Sequence, residues 1–265
     1  MKRALLLMIM GLTTLVTFGQ QKETRAVPSF TGISASSVFN ITVTKGSTES
    51  LTIEADDEVM QFVRSEVKNG VLNLYLDSKN KVKNIKNLKA TVVMKNLDKV
   101  ILSGTCKLTS NDLFTPDKFK AECSGVSNME VNINTGQLSL EASGTSKIRI
   151  KSNISNNADL DVSGTSTIQG DLKATSVKIN SSGVCTVELT GSASNLMIDA
   201  SGVSKVLAED FVVKTAAIES SGTSKITVNV TDVLKVDSSG ASSVGYKGSP
   251  TIKSNSSRAS KIRKI

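Results

Sequence analysis

A short motif built on Ser-Gly recurs along the last two thirds of the chain, and the hexapeptide SGTSKI occurs twice, from Ser143 and from Ser221. Successive copies are 18 to 21 residues apart, measured between the glycines. A nearly constant period of this length is typical of repeat proteins, in which each repeat is one structural unit. The motif glycines are Gly104, Gly125, Gly144, Gly164, Gly183, Gly202, Gly222 and Gly240, with Arg258 in the ninth place.

Apolar residues stand four places before and four places after the motif glycine, as Leu140 and Ile148 do around Gly144. Polar residues lie between them, so the alternation has period two and predicts a β-strand with one buried face on each side. A unit of about 19 residues cannot bury that face alone, but stacked copies can. The sequence therefore predicts an all-β fold, a single-stranded parallel β-helix (β-solenoid) with coils of about 19 residues. Parallel crossovers favour the right-handed form.

The segment before the regular motifs follows the same pattern. ISASSVFNITV, at residues 33–43, aligns with LEASGTSKIRI at 140–150, which puts Ser36 in the serine place and Ser37 in the glycine place. LTIEADD, from Leu51, fits a further coil. The next residues, DDEVMQFV, predict one helical turn with Asp56 as its N-cap.

The first residues have the features of a secretory signal peptide. Lys2 and Arg3 precede an apolar run at residues 4–16 that is too short to span a membrane. We assign residues 1–20 to the signal peptide and expect an exported protein in the periplasm, on the outer-membrane surface or outside the cell. No transmembrane segment is predicted in the remainder.

Residues 21–265 are expected to form a single β-helix domain. Within it, residues 25–98 are predicted to be degenerate N-terminal coils and residues 99–265 regular Ser-Gly-x-Ser coils.

Composition removes several classes of function. The chain has no histidine, which excludes Ser-His-Asp and Cys-His catalysis, and its three cysteines lack metal-ligand spacing. The formal charge is +8, yet aromatic residues make up 3% of the chain and tryptophan is absent, so base-stacking platforms for nucleic acid are missing. We therefore predict no catalytic, cofactor-binding or metal-binding residues and no nucleic-acid partner.

The cysteines leave one question open. Cys106 and Cys185 are four coils apart, roughly 19 Å in a regular stack, which is too far for a disulfide. A bridge between Cys106 and Cys123 in adjacent coils remains an alternative to free buried thiols.

Two charged columns flank the motif. Acidic residues stand three places before the glycine, and lysines stand three places after it, where cross-turn ion pairs would offset the like charges of the acidic column. We take the lysine column as a candidate binding face. An alternative is a polysaccharide-cleaving enzyme that uses surface carboxylates such as Glu141 and Asp161. The lysines of the candidate face are Lys107, Lys147, Lys205 and Lys225.

The N-terminal block RAVPSFTGISASSVFNITVTKGSTESLTIEADDEV, followed by VKNGVLNLYL and many Ser-Gly-x-Ser coils, resembles the exported bacterial family of "putative autotransporter adhesins" with a "head GIN" domain. The resemblance implies a right-handed β-helix in the envelope of Gram-negative bacteria and no established enzymatic activity. We expect a non-catalytic envelope or surface protein that binds a glycan or protein. A purely structural role in the envelope is a further alternative.

Overall fold

The computed structural model describes residues 20–77 and 85–265. Residues 1–19 of the predicted signal peptide lie outside the described residues. The first part of the chain contains strands β1 (Gln20–Arg25), β2 (Gly32–Ala35), β3 (Asn40–Lys45), β4 (Ser50–Asp56), β5 (Val63–Lys68), β6 (Val71–Leu76) and β7 (Leu88–Met94), with helix α1 (Asp57–Met60) after β4.

The regular repeats form the rest of the strands, and six of these, β11 to β16, run through a whole coil from one Ser-Gly motif to the next. They are β8 (Lys99–Leu102), β9 (Lys107–Phe114), β10 (Lys118–Cys123), β11 (Asn128–Ala142), β12 (Lys147–Val162), β13 (Thr167–Ser181), β14 (Thr186–Ala200), β15 (Lys205–Ser220), β16 (Lys225–Ser238), β17 (Ser243–Gly248), β18 (Thr251–Ser256) and β19 (Lys261–Lys264).

These strands stack in parallel, and equivalent residues of successive repeats are register partners. Met129 lies opposite Ile148, and Ile148 lies opposite Ile168. All three side chains are at most 1% exposed. The aliphatic column thus forms a continuous core inside the coils. This confirms the predicted all-β parallel solenoid with coils of about 19 residues.

The Ser-Gly motif forms a corner of each coil. The corner glycines have positive φ, for example 68° at Gly125 and 69° at Gly144. The Gly125 carbonyl oxygen accepts a hydrogen bond from the Thr145 amide of the next coil at 2.7 Å. Glycine recurs because the left-handed conformation and the close approach of successive corners both exclude a side chain.

The serine two places after the glycine closes the inside of the corner. The Ser146 hydroxyl is 2% exposed and donates to the Cys123 carbonyl of the preceding coil at 3.0 Å. The Ser204 hydroxyl donates in the same way to the Ser181 carbonyl at 3.3 Å. Most of the serine column therefore takes part in the interior hydrogen bonding, whereas the buried hydroxyl of Ser224 has no partner among the described residues.

The N-terminal segment is only partly coiled. β2 and β3 stack in parallel on β8 and β9, and Ser37 takes the glycine place with φ of 84°. β6 and β7 add parallel strands on the other side of β2 and β3. In contrast, β4 pairs antiparallel with β7 and β1, and β5 pairs antiparallel with β6.

The expectation that Leu51 begins another parallel coil is therefore wrong. The first coil would otherwise expose unpaired backbone groups along its edge, and the added strands cover that edge. The turn between β5 and β6 is Asn69-Gly70, with φ of 51° and 72°, a pair suited to a tight hairpin.

Helix α1 lies where one helical turn was predicted, with Asp56 in the N-cap position but without a side-chain cap. The Asp56 carboxylate instead accepts hydrogen bonds from the amides of Lys86 and Asn87, at 3.0 and 3.1 Å. It therefore holds the chain that enters β7 against the end of β4.

Cys106, Cys123 and Cys185 are all buried free thiols, so the alternative of a Cys106–Cys123 bridge is not realised in this structure. Burial raises the pKa of the Cys123 thiol to about 12, and burial likewise raises the pKa of Cys106.

Candidate binding surface

The lysines of the candidate face lie in one row of outward side chains, three places after the corner glycine. Lys205 and Lys225 are direct register partners, about one strand spacing (~4.8 Å) apart. Lys107 and Lys147 lie on either side of Asn128. From one end to the other, the row is Asn40, Lys107, Asn128, Lys147, Thr167, Thr186, Lys205, Lys225, Ser243 and Lys261.

We call this set the lysine row. Thr167 and Thr186 separate its lysines into two groups, so the structure places the four predicted residues on one face but not in one patch. The Lys147–Lys205 gap is three coil steps, roughly 14 Å.

The acidic column forms a matching row on the other side of the corner. We call it the acidic row; its members are Glu122, Glu141, Asp161, Asn180, Asp199, Glu219, Asp237 and Asn255. Asn180 interrupts the charges and donates from Nδ2 to Asp161 Oδ1 at 2.6 Å.

Within the described residues, the one ion pair of the acidic row is Glu122 with Lys120, at 2.7 Å. This hydrogen bond raises the pKa of Lys120 above its usual range. The expected cross-turn ion pairs with the lysine row are therefore absent from this part of the chain. Most side chains of the acidic row are exposed, so the repulsion between its like charges is weakened by the surrounding water and ions and not by ion pairs.

Residues 20–77 and 85–265 hold no group of three or more His, Cys, Asp or Glu side chains arranged to bind a metal ion. Glu141 and Asp161, the carboxylates of the enzyme alternative, are simply register partners in adjacent coils. They repeat the pattern of the acidic row, and together with Asp199 they line a shallow depression of about 210 Å³.

A depression of about 900 Å³ lies on the flank beyond the acidic row. Two short rows of outward side chains form its wall: Lys99, Lys120, Ser139 and Asp159 in one, and Lys118, Gln137 and Asn157 in the other. Asn96, Asp98 and the segment Thr115–Asp117 border them. We call this set the polar groove.

The segment Thr115–Asp117 is held in place by backbone hydrogen bonds to the neighbouring coil. The Asp117 carbonyl oxygen accepts hydrogen bonds from the amides of Gly136 and Gln137, at 3.0 and 3.2 Å. Pro116 is buried, whereas Asp117 is exposed. The groove thus presents carboxylates, amides, hydroxyls and ammonium groups on a fixed framework.

Sequence reasoning missed the polar groove. Most of its residues lie five or seven places before a corner glycine, where the residue type changes from coil to coil. A repeat pattern marks the positions that every coil shares, so it gives no signal for a surface that only four coils build.

These features define a class of protein: a parallel β-solenoid whose outward side chains form long rows and a polar groove. The chain belongs to the family described as "Putative auto-transporter adhesin, head GIN domain", whose model matches residues 29–156 and again residues 150–250. The two consecutive matches agree with the internal repetition of the coils.

Solved structures of bacterial proteins share the fold. A putative adhesin from Parabacteroides merdae has a TM-score of 0.73 and 18% identity, over 94% of this chain and 97% of that one. A protein from Parabacteroides distasonis described as a putative lipid binding protein has a TM-score of 0.69 and 16% identity, over 94% and 98%. A putative adhesin from Bacteroides fragilis has a TM-score of 0.54 and 24% identity, also over 94% and 98%.

No curated protein gives a significant match. In the described part of the chain, no helix has the length and apolar character needed to cross a membrane.

Proposed function

We propose that this protein is a non-catalytic, exported protein of the cell envelope or cell surface that binds a glycan in the polar groove. The single observation that carries the proposal is the groove itself, a depression of about 900 Å³ in which eleven of the fourteen lining residues have hydrogen-bonding side chains. Membership of an adhesin family and the predicted signal peptide support an adhesin-like role outside the cytoplasm.

The chemistry of the groove suits a polyhydroxylated ligand. Carboxylates such as Asp159 accept hydrogen bonds, lysines such as Lys118 donate them, and amides such as Asn157 do both. Neighbouring sugar hydroxyls need donors and acceptors side by side, and the register of β10, β11 and β12 supplies them at strand spacing.

The lysine row is the second part of the proposal. We propose that Lys107, Lys147, Lys205 and Lys225 contact acidic groups of a long partner that extends across several coils. Exposed lysines of this kind guide association more than they add affinity. Their contribution is therefore expected to fall with added salt.

The test is a binding screen of the purified protein against glycans and envelope polysaccharides, with release of reducing sugar measured for every ligand that binds. Asp159→Ala and Asn157→Ala, both in the groove, are expected to weaken binding at least about tenfold, a loss of ~1.4 kcal/mol. The matched variants Lys205→Gln and Lys225→Gln lie on the opposite flank and are expected to change mainly the salt dependence.

The enzyme alternative gives a different result in the same screen. Product release that Glu141→Gln or Asp161→Asn abolishes would contradict the proposal and identify a carbohydrate-cleaving enzyme. Absence of any glycan ligand, or binding that the groove variants leave unchanged, would contradict the assignment of the groove.

A further inference from the structure

A second surface lies on the same flank as the polar groove, and in it apolar side chains stand between lysines. Lys178, Met197, Ala217, Lys235 and Lys253 are successive register partners, all five places before a corner glycine or its equivalent. We call them the Met197 row. The apolar members of this row lie directly between lysines.

A depression of about 510 Å³ opens at the apolar members of the row. Met197 is 53% exposed, whereas the small Ala217 beside it leaves room above the sheet. Val233 extends the apolar lining, and Lys235 and Lys253 border it on one side. An exposed methionine next to such a gap is typical of binding surfaces, because its side chain adapts to what it contacts.

Ser176, Asn195 and Thr215 add polar side chains to the lining of the depression. Charges of both signs lie nearby: Lys235 borders the depression, and Lys178 is the register partner of Met197. Lys178 and Lys235 form no ion pair with any described residue, so their ammonium groups are available. Asp199 and Glu219 of the acidic row are two residues along the strands from Met197 and Ala217, on the same face and about 7 Å away. An apolar centre with a charged rim is the anatomy of a protein–protein contact.

We propose that the Met197 row binds an extended segment of a protein partner that carries an acidic, an apolar and an acidic residue at alternate positions. Lys178 and Lys235 are three coil steps apart, about 14 Å. In an extended chain, residues four apart are separated by nearly the same distance, about 13.6 Å, and point to the same side.

A segment that runs along the stacking direction therefore places its two acidic residues opposite Lys178 and Lys235. Its middle apolar residue then lies over Met197 and Ala217. The site adjoins the polar groove, because Lys178 is the register partner of Asp159, but its occupant is a protein and not a glycan.

The nearby acidic row makes an anionic membrane a poorer occupant than a protein. Asp199 and Glu219 would repel a sheet of phosphate groups and so oppose its attraction to the lysines. A protein segment has discrete charges, so it can meet the lysines without facing the carboxylates.

The test uses a fluorescently labelled peptide with the core Glu-Ser-Leu-Ser-Glu, titrated with the purified protein and followed by anisotropy. Replacing the central Leu with Ser, or both Glu with Lys, is expected to weaken binding about tenfold. The double variant Lys178→Glu/Lys235→Glu is expected to bind the acidic peptide about tenfold more weakly than the wild-type protein does. It is also expected to bind the Lys-Ser-Leu-Ser-Lys peptide, which the wild-type protein binds weakly.

The matched control is Lys173→Glu/Lys264→Glu, which reverses two charges outside the lysine row, the Met197 row and the polar groove and is expected to leave peptide binding unchanged. Circular dichroism verifies that each variant folds. The proposal is overturned if the wild-type protein does not bind the acidic peptide. It is also overturned if the charge-reversed protein does not prefer the Lys-Ser-Leu-Ser-Lys peptide to the acidic one. It is equally overturned if anionic vesicles bind through these residues and the peptide does not.

Lys178 is the register partner of Asp159 in the polar groove, so glycan binding is compared in the single variant Lys235→Glu, which lies three coil steps further along and is expected to leave it unchanged. Failure of this proposal and failure of the proposed function are therefore separate results.

Discussion

The backbone of Gly144 lies directly against that of Gly125 in the preceding coil. A Cβ added to Gly144 would stand 2.7 Å from the Gly125 carbonyl oxygen, closer than such atoms approach in proteins. That oxygen is also the acceptor for the Thr145 amide. The corner thus leaves no space for a side chain at the point where successive coils hydrogen-bond.

We expect Gly144→Ala to lower the free energy of unfolding by about 2–3 kcal/mol, from the strain of positive φ together with displacement of the neighbouring corner. Gly70→Ala is the matched control, because Gly70 has φ of 72° but nothing within 4 Å of an added Cβ. Gly70→Ala is expected to lower the free energy of unfolding only through the strain of positive φ, by about 1 kcal/mol. Urea denaturation of both variants measures the difference, and equal losses would contradict the role assigned to close stacking.

The buried hydroxyl of Ser146 gives a second prediction. Ser146→Ala removes the hydrogen bond to the Cys123 carbonyl and is expected to cost about 1 kcal/mol of stability. Ser146→Cys is expected to cost less, because Cys185 occupies the equivalent place and its thiol lies 3.6 Å from the Val162 carbonyl oxygen. Thermal or urea unfolding ranks the two variants, and a larger loss for Ser146→Cys would show that the corner tolerates no sulfur there.

The regular coils could be predicted from the sequence because every coil obeys the same constraint. Gly144 and its counterparts recur where no Cβ fits, and apolar residues such as Ile148 recur where the core is. The pairing of the N-terminal strands was harder to predict from the sequence. The alternation in β4 indicates which side chains are buried, but it does not indicate whether the neighbouring strand is parallel. The same period therefore fits the antiparallel pairing that β4 makes with β7.

The candidate surfaces divide in the same way. The lysine row was predictable because its position is fixed relative to the glycine, although the Thr167–Thr186 gap depends on which coils carry lysine. The polar groove and the Met197 row lie at positions that vary from coil to coil. Their shape comes from differences between neighbours, such as Ala217 beside Met197, which become visible only when the register is known.

The acidic row gives a third prediction, centred on Asn180. Asn180→Asp removes the hydrogen bond to Asp161 and places a carboxylate between Asp161 and Asp199. We expect a loss of about 1 kcal/mol at low ionic strength, since like charges at strand spacing destabilise a sheet.

The loss is expected to shrink in 0.5 M salt, at which screening is stronger. Asn255→Asp is the control, because Asn255 is paired in register with Asp237 alone and is expected to show a smaller, similarly salt-dependent loss. Denaturation in low and high salt tests both variants. A loss that does not respond to salt would point to packing instead of charge.

The buried thiol of Cys123 gives the last prediction, a fall in stability at high pH. Burial raises its pKa to about 12 from the usual value of 9.0, so above pH 9 the thiol ionises in the unfolded chain while it stays neutral in the folded one. The folded state then holds more protons, and the free energy of unfolding decreases as the pH rises from 9 towards 12. Cys123→Ala removes this titration and suits a column that holds Ala142 and Ala200 in equivalent places. We expect wild-type protein to lose more stability than Cys123→Ala between pH 8 and pH 10.5, and parallel pH profiles for the two proteins would show that the thiol is not shielded from solvent.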